Sequence, residues 1–417
     1  MKLNLNPIKG TNDYAPKEAL EREIVRQKIL EIYQKNGYQL IKTPILEHLE
    51  LLNGSDGGDN LKLIFKTIKR GEKLDLSKPN LTEADIAEEG LRYDLTVPLA
   101  RFYCQNKESL TNPFKSIQID EAFRAERPQK GRLREFVQCD IDVFGDSTNN
   151  AEIDLLSTIV EAYKHIGFGS LTIRLSDRRA LNQIMEWSGF DPANFSTVAV
   201  SADKIGDIGK EGVAQELTQK ELNPSAISKF VAALDDIQQN GVKVLSNYGV
   251  GDEVVDNIQT VVAAANNAIA ALGLSPEQYN VVFDISIVRG QGYYTGTVFE
   301  MYTQGFARAV GGGGRYDNMV EKLIGQKVPA VGCSMGFEPI TMLLKQQGAS
   351  IKTNKLIALF YNPQDSQNAF KAKTALKQTY DVSLFVVPKN MKNTLERLKN
   401  NGFDGYVFAD RMQVTLF

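Results

Sequence analysis

The chain has 417 residues, 42% of them hydrophobic and 24% charged, with a formal net charge of −3, which predicts two or three globular domains rather than one core. The near balance of charge excludes a chain that coats nucleic acid along its whole length, although a local basic face stays possible. Three scattered cysteines (Cys104, Cys139, Cys333) and two histidines (His48, His165) argue against a disulfide framework, a zinc site or a Ser-His-Asp triad.

Residues 17–36, KEALEREIVRQKILEIYQKN, place Leu20, Ile24, Ile29 and Ile32/Tyr33 along one helical face, with Gly37 as the stop. YQLIKTPILE then reads as a strand interrupted at Pro44, which a sheet accepts only at an edge, a bulge or an interface. Residues 53–90 combine NGSDGGDN, LKLIFKTI and an acidic stretch, predicting a hairpin and an exposed loop. LRYDLTVPLARFY, SIQIDEAFRAE and EFVQCDIDVFG are rich in alternating apolar residues and predict long strands of an antiparallel sheet. Ala151–His165 reads as a helix, LTIRLS as a strand, and 202–272 as helical almost throughout, so a helical module interrupts a sheet-based domain. VVFDIS and GTVFEMY return as strands, followed by a glycine run and by AVGCSMGFEP leading into another helix. From about 352 onward strands and helices alternate, predicting a small α/β domain with a mostly parallel sheet. That tail carries ten Lys and Arg against five Asp and Glu, so it is either a solvated lysine-rich face or a nucleic-acid surface. The fold class expected is α+β. The start, MKLNLNPIKG, has no signal-like apolar run and no segment approaches 18 apolar residues, so a cytoplasmic protein with no membrane partner is expected.

Three stretches carry chemistry. Gly311–Asp317 reads GGGGRYD and lacks the Lys and Ser/Thr that a phosphate-cradling loop requires. Its remaining readings are a floor for a bound small molecule, with Arg315 and Tyr316 beside it, or a simple hairpin bend. IVRGQGYYTGTVFE adds a cation, Arg289, and two phenols, Tyr293 and Tyr294, where a strand meets a glycine-permitted bend. In FRAERPQKGRLREFVQCDIDVFG, Arg124 and Glu126 share one strand face while Arg127, Lys130, Arg132 and Arg134 crowd the turn. Such crowding of cations is costly unless anions visit, and phosphate is the economical anion.

With these residues in view, the chain resembles the histidyl-tRNA synthetase family of class II aminoacyl-tRNA synthetases. FRAERPQKGRLREF is similar to class II motif 2, IVRGQGYYTGTVFE and GGGGRYD to the two histidine-specific motifs, and IKGTNDYAP to the family's N-terminal signature. The likeness runs in family order from about residue 8 to 345, with a weaker tail. It implies a catalytic domain over 1–345 on an antiparallel sheet flanked by helices, a helical insertion at 198–272, and an anticodon-binding-like domain at 350–417. The implied activity is ATP-dependent activation of histidine and its transfer to tRNA(His), by a homodimer using ATP with magnesium and no protein-held metal. By position, Arg124 would hold the α-phosphate, Arg289 would be the catalytic cation and Glu126 would assist the nucleotide. Asp94, Thr96 and Gln138 would hold the backbone groups of histidine, and Asp142, Tyr293, Tyr294 and Tyr316 its ring, with Arg315 at the edge. Arg127, Gln129 and Arg132 would reach the tRNA acceptor end.

Two departures from the family pattern matter. Motif 3 usually ends in Glu-Arg, whereas this chain has Glu338-Pro339, which removes one charge-assisted ATP contact worth about 1.5–3 kcal/mol unless another cation substitutes. Gly292 stands where the family usually has Asp. They leave an alternative reading, a synthetase-like histidine-binding regulator such as the regulatory subunit of ATP phosphoribosyltransferase.

Overall fold

The computed structural model describes residues 3–54, 58–127, 133–289, 292–347 and 354–417. Gln129 and Arg132 of the basic turn lie outside the described residues. The chain divides into two compact units, one formed by 1–11 with 27–347 and the other by 12–26 with 348–417.

The larger unit is built on an eight-stranded sheet. Its order is Gln39–Leu40, Phe114–Phe123, Glu135–Phe144, Ala330–Gly336, Gly311–Arg315, Thr297–Tyr302, Leu171–Asp177, Tyr279–Phe283. Neighbours from Phe114–Phe123 through Leu171–Asp177 pair antiparallel, and only the two outermost strands join in parallel. Alternation along Glu135–Phe144 shows how the sheet separates two tasks. Cys139, Ile141 and Val143 are buried on one face, where the Tyr33 hydroxyl donates to the Cys139 carbonyl at 3.2 Å. On the same side the Tyr163 hydroxyl, from the helix Asn150–Ile166, donates to the Val310 carbonyl at 2.8 Å. Gln138, Asp140 and Asp142 point to the other face, as the period of two requires.

The helix Pro16–Lys35 closes at Gly37, whose φ of +81° is the left-handed conformation that ends helices. Its buried side chains are Val25, Ile29, Ile32 and Tyr33, whereas Leu20 is exposed, so the apolar stripe is rotated from the one expected. Pro44 does break its segment: Gln39–Leu40 joins the large sheet and Leu46–His48 joins a three-stranded sheet with Lys66–Ile68 and Ala87–Leu91. The expected strand through LRYDLTVPLARFY is corrected, since Thr96–Asn106 is a helix. Asp94 overrides the apolar alternation there by accepting a hydrogen bond from the Val97 N–H at 3.2 Å, and Pro98 sits harmlessly in the first turn, where backbone N–H groups have no helical partner.

The helical module begins by Phe195, with Phe195–Ala202, Ile205–Gln219, Pro224–Asn240 and Asp252–Ala271 as its main helices. Asn266 on the last of these satisfies the outer edge of the sheet. Its side-chain amide donates to the Val281 carbonyl at 2.8 Å, and its oxygen accepts from the Val281 N–H at 2.9 Å.

In the smaller unit Asp381–Val386, Leu356–Tyr361 and Gly405–Phe408 form a parallel sheet, to which Thr415–Leu416 adds an antiparallel edge. Helices Ser366–Leu376 and Met391–Asn400 supply the crossovers. Among the described residues, no helix is long and apolar enough to cross a membrane.

Candidate active site

The floor of the site is set by strand register. Asp142, Gly332 and Gly314 stand side by side across three strands, and Asp140, Ser334 and Gly312 form the next row. A Cβ on Gly332 would lie 1.7 Å from Asp142 Oδ1, one on Gly312 would lie 2.6 Å from Arg289 Nη1, and one on Gly314 would lie 2.8 Å from the Tyr294 ring. None of these glycines has a positive φ, so close approach rather than backbone freedom demands them. GGGGRYD is therefore a strand rather than a bend or a phosphate cradle, and its Gly312 and Gly314 are the floor against which Arg289 and Tyr294 pack.

Above that floor is a cavity of about 120 Å³. Nine of the residues implied by the resemblance line it: Asp94, Thr96, Arg124, Gln138, Asp142, Arg289, Tyr293, Tyr294 and Tyr316. The walls come from segments far apart in the chain. Tyr293 and Tyr294 have ring centroids 4.7 Å apart, and Tyr316 meets Tyr293 edge-on at 6.1 Å. The Tyr316 hydroxyl donates to Asp142 Oδ1 in a short hydrogen bond. Arg124 donates from Nε to the Tyr93 carbonyl at 3.0 Å and lies 5.0 Å over the Phe136 ring. Arg289 has a φ of +57°, uncommon for a residue with a side chain, and donates from Nη1 to Glu300 Oε1 at 2.9 Å. Strain of this kind persists where surrounding structure holds it and is concentrated at functional sites.

The carboxylates here titrate abnormally. Burial pushes Asp94 up to about 6, against hydrogen bonds from the Val97 and Thr96 N–H groups and the charge of Arg124. Burial likewise raises Asp142 to about 7 although the Tyr316 hydroxyl opposes the shift. Asp140, which sequence reading passed over, is raised well above the usual carboxylate range by burial and by the neighbouring Asp142. Period-two extension between Gln138 and Asp142 was the signal that could have found it. Glu300, the partner of Arg289, had no such signal because it is eleven residues away in the chain.

These shifts have a consequence for stability. Asp94 has a folded pKa above its unfolded value of about 3.9, so the native state keeps a proton that the unfolded chain releases. The stability this confers is full below about pH 4 and is lost as pH rises through about 6. Asp94→Asn is accordingly expected to raise stability by up to about 3 kcal/mol at pH 8 and to change little at pH 4, which urea titrations at the two pH values would measure.

Two predicted residues stand elsewhere. Arg315 does not line the cavity. Its strand position faces the helix Asn150–Ile166, where its guanidinium forms a two-pronged pair with Glu152 (2.7 and 2.5 Å) and donates to the Thr148 carbonyl at 3.3 Å. Glu126 is half-buried on the segment leaving Phe123 and is not among the residues that line the cavity. Arg127 is exposed. Glu338 and Pro339 open the helix Phe337–Gln346, with Glu338 accepting from the Val137 N–H at 3.3 Å. Pro339 borders a second, larger cavity of about 1,090 Å³ together with Glu300, Arg174 and Arg308.

Known proteins resemble this chain over nearly its whole length. The family model described as Histidyl-tRNA synthetase matches residues 10–340. A histidine–tRNA ligase of Leifsonia xyli is 35% identical over 414 residues, covering 97% of this chain and 95% of that protein. A histidine–tRNA ligase of Gloeobacter violaceus is 32% identical, covering 96% and 90%. Among solved structures, histidyl-tRNA synthetase from Nostoc superposes with a TM-score of 0.74 at 24% identity, covering 98% of this chain and 93% of that one. An ATP phosphoribosyltransferase regulatory subunit/histidyl-tRNA synthetase from Bacillus halodurans gives 0.76 at 18% identity, covering 98% and 99%.

Proposed function

The chain belongs to the histidyl-tRNA synthetase family and joins histidine to tRNA, and from that premise we propose that the glycine-floored cavity is where histidine is activated. The convergence of nine implied residues on one cavity carries this reading. A carboxylate oxygen of histidine attacks the α-phosphorus of ATP, the bond to the β-phosphate oxygen breaks, and pyrophosphate leaves. The nucleophile arrives ionised, so no general base is required. The protein's work is to hold two anions together and to stabilise the charge that builds on phosphorus. Arg124 and Arg289 are the cations for that task, the first on the α-phosphate and the second, held by Glu300, on the reacting carboxylate and phosphate. Glu126 assists on the nucleotide side. Asp94, Thr96 and Gln138 hold the backbone groups of histidine, and Asp142 with the three tyrosines reads the ring, since a site lacking partners for both ring nitrogens could not select histidine.

No cluster of His, Cys, Asp or Glu suited to a metal ion occurs among the described residues. Magnesium would enter as an ion carried on the triphosphate, as it commonly does. Arg308 borders the same cavity as Pro339 and has no ion pair among the described residues, so it is the cation placed to replace the missing motif 3 arginine. Arg127 serves the tRNA acceptor end, the basic smaller unit serves the anticodon, and the protein works in the cytoplasm as a homodimer.

The regulator reading has less support. The Bacillus halodurans likeness, at 18% identity, concerns the fold alone, whereas ligase relatives match in sequence throughout. Histidine-dependent ATP–pyrophosphate exchange, followed by charging of tRNA(His), tests the proposal. Exchange that requires histidine and no other amino acid is the expected result. Histidine binding without exchange would return the regulator to first place.

A further inference from the structure

Seven buried side-chain polar atoms among the described residues have no hydrogen-bond partner, and three of them face the histidine cavity: Asp94 Oδ2, Gln138 Oε1 and Asp140 Oδ1. Native proteins leave few such atoms, so three in one place call for a missing donor. Asp94 and Asp140 are each only 3% exposed. The Gln138 amide nitrogen points toward Asp140 Oδ2 and Ser334 Oγ, at 3.4 and 3.5 Å, which turns its oxygen outward as an acceptor. All three orphans accept, and a primary ammonium has three N–H donors and no acceptor.

We propose that Asp140 is the third pole of a cradle for the α-ammonium of the amino acid, with Asp94 and Gln138 as the other two. The inference rests on the reading of this cavity as the histidine site, and adds to it a residue that the family resemblance did not assign. Asp142 has no oxygen among the unpartnered buried atoms, and its Oδ1 accepts from Tyr316. Asp140 shares a register row with Ser334 and Gly312 and lines the cavity with Asp94 and Gln138. In the absence of a ligand, burial and the neighbouring Asp142 disfavour a charge on Asp140. Arrival of the ammonium supplies the countercharge.

Titration calorimetry at about pH 7.5, where imidazole is mostly neutral, tests this with histidine and with imidazole-4-propionate, which lacks the amine. Asp140→Asn, nearly isosteric, is expected to weaken histidine about 10- to 100-fold and imidazole-4-propionate by less than about 2-fold. Equal weakening of both ligands, or undiminished histidine binding, would overturn the proposal. If the des-amino ligand binds too weakly to titrate, the histidine arm decides, and a weakening of less than about 2-fold by Asp140→Asn overturns the proposal. A wild-type protein that bound no histidine at all would remove the site reading and this cradle together, whereas normal binding unaffected by Asp140→Asn removes the cradle alone.

Discussion

Arg289→Ala is expected to lower histidine-dependent pyrophosphate exchange by about 10²- to 10³-fold, the loss typical when one preorganised donor to a developing charge is removed. The loss should fall mainly on kcat. Arg289 is already fixed in the empty protein by Glu300 and by the bare backbone of Gly312 beneath it, so its stabilising effect is in place before charge develops. Steady-state exchange across histidine concentrations would separate the constants. A rise in KM with kcat unchanged would show that Arg289 binds ground state and transition state alike. Arg289→Lys should rescue little, because a point charge cannot lie flat on the glycine floor as a planar guanidinium does.

Glu152→Ala is expected to destabilise the larger unit by about 3–5 kcal/mol, because it strands the Arg315 guanidinium without its buried carboxylate. Glu152 is 1% exposed at its side chain, and besides both arms of Arg315 it accepts from the Thr297 hydroxyl at 2.9 Å. The Arg315 carbonyl in turn accepts from the Thr295 N–H at 2.8 Å. This places the pair where the segment carrying Tyr293 and Tyr294 meets the end of the strand that leads into Tyr316. Denaturant unfolding would give the magnitude, and Glu152→Gln, which keeps an acceptor, should cost less. A loss below about 1 kcal/mol would mean that water enters to solvate Arg315.

Much of this was legible in the sequence where local pattern and chemistry agree. The alternation of the tail gave its parallel sheet, and Pro44 marked the switch of its segment from one sheet to another. The glycines, tyrosines and arginines of three short motifs marked the cavity. Other features were hidden because they depend on partners distant in the chain. Arg315 sits between two pocket-like neighbours in the sequence, yet odd and even positions of its strand face opposite sides of the sheet, and Glu152 lies 163 residues away. The start of Thr96–Asn106 looked like a strand because Tyr93, Leu95, Val97 and Leu99 alternate along the chain, and one hydrogen bond to Asp94 decided otherwise. The abnormal titration of Asp140 has no sequence signature, since it follows from burial beside a like charge.

The glycine floor also has a bearing on how the enzyme could be redesigned. A surface of bare peptide planes recognises shape without naming a residue, so choice of amino acid is delegated to the walls, which come from separate segments and can be exchanged one at a time. A saturation library selected for activity should be depleted of nearly every alternative at Gly312, Gly314 and Gly332, where an added Cβ collides with Arg289, Tyr294 and Asp142. Altered preference, where it emerges, should map to the walls.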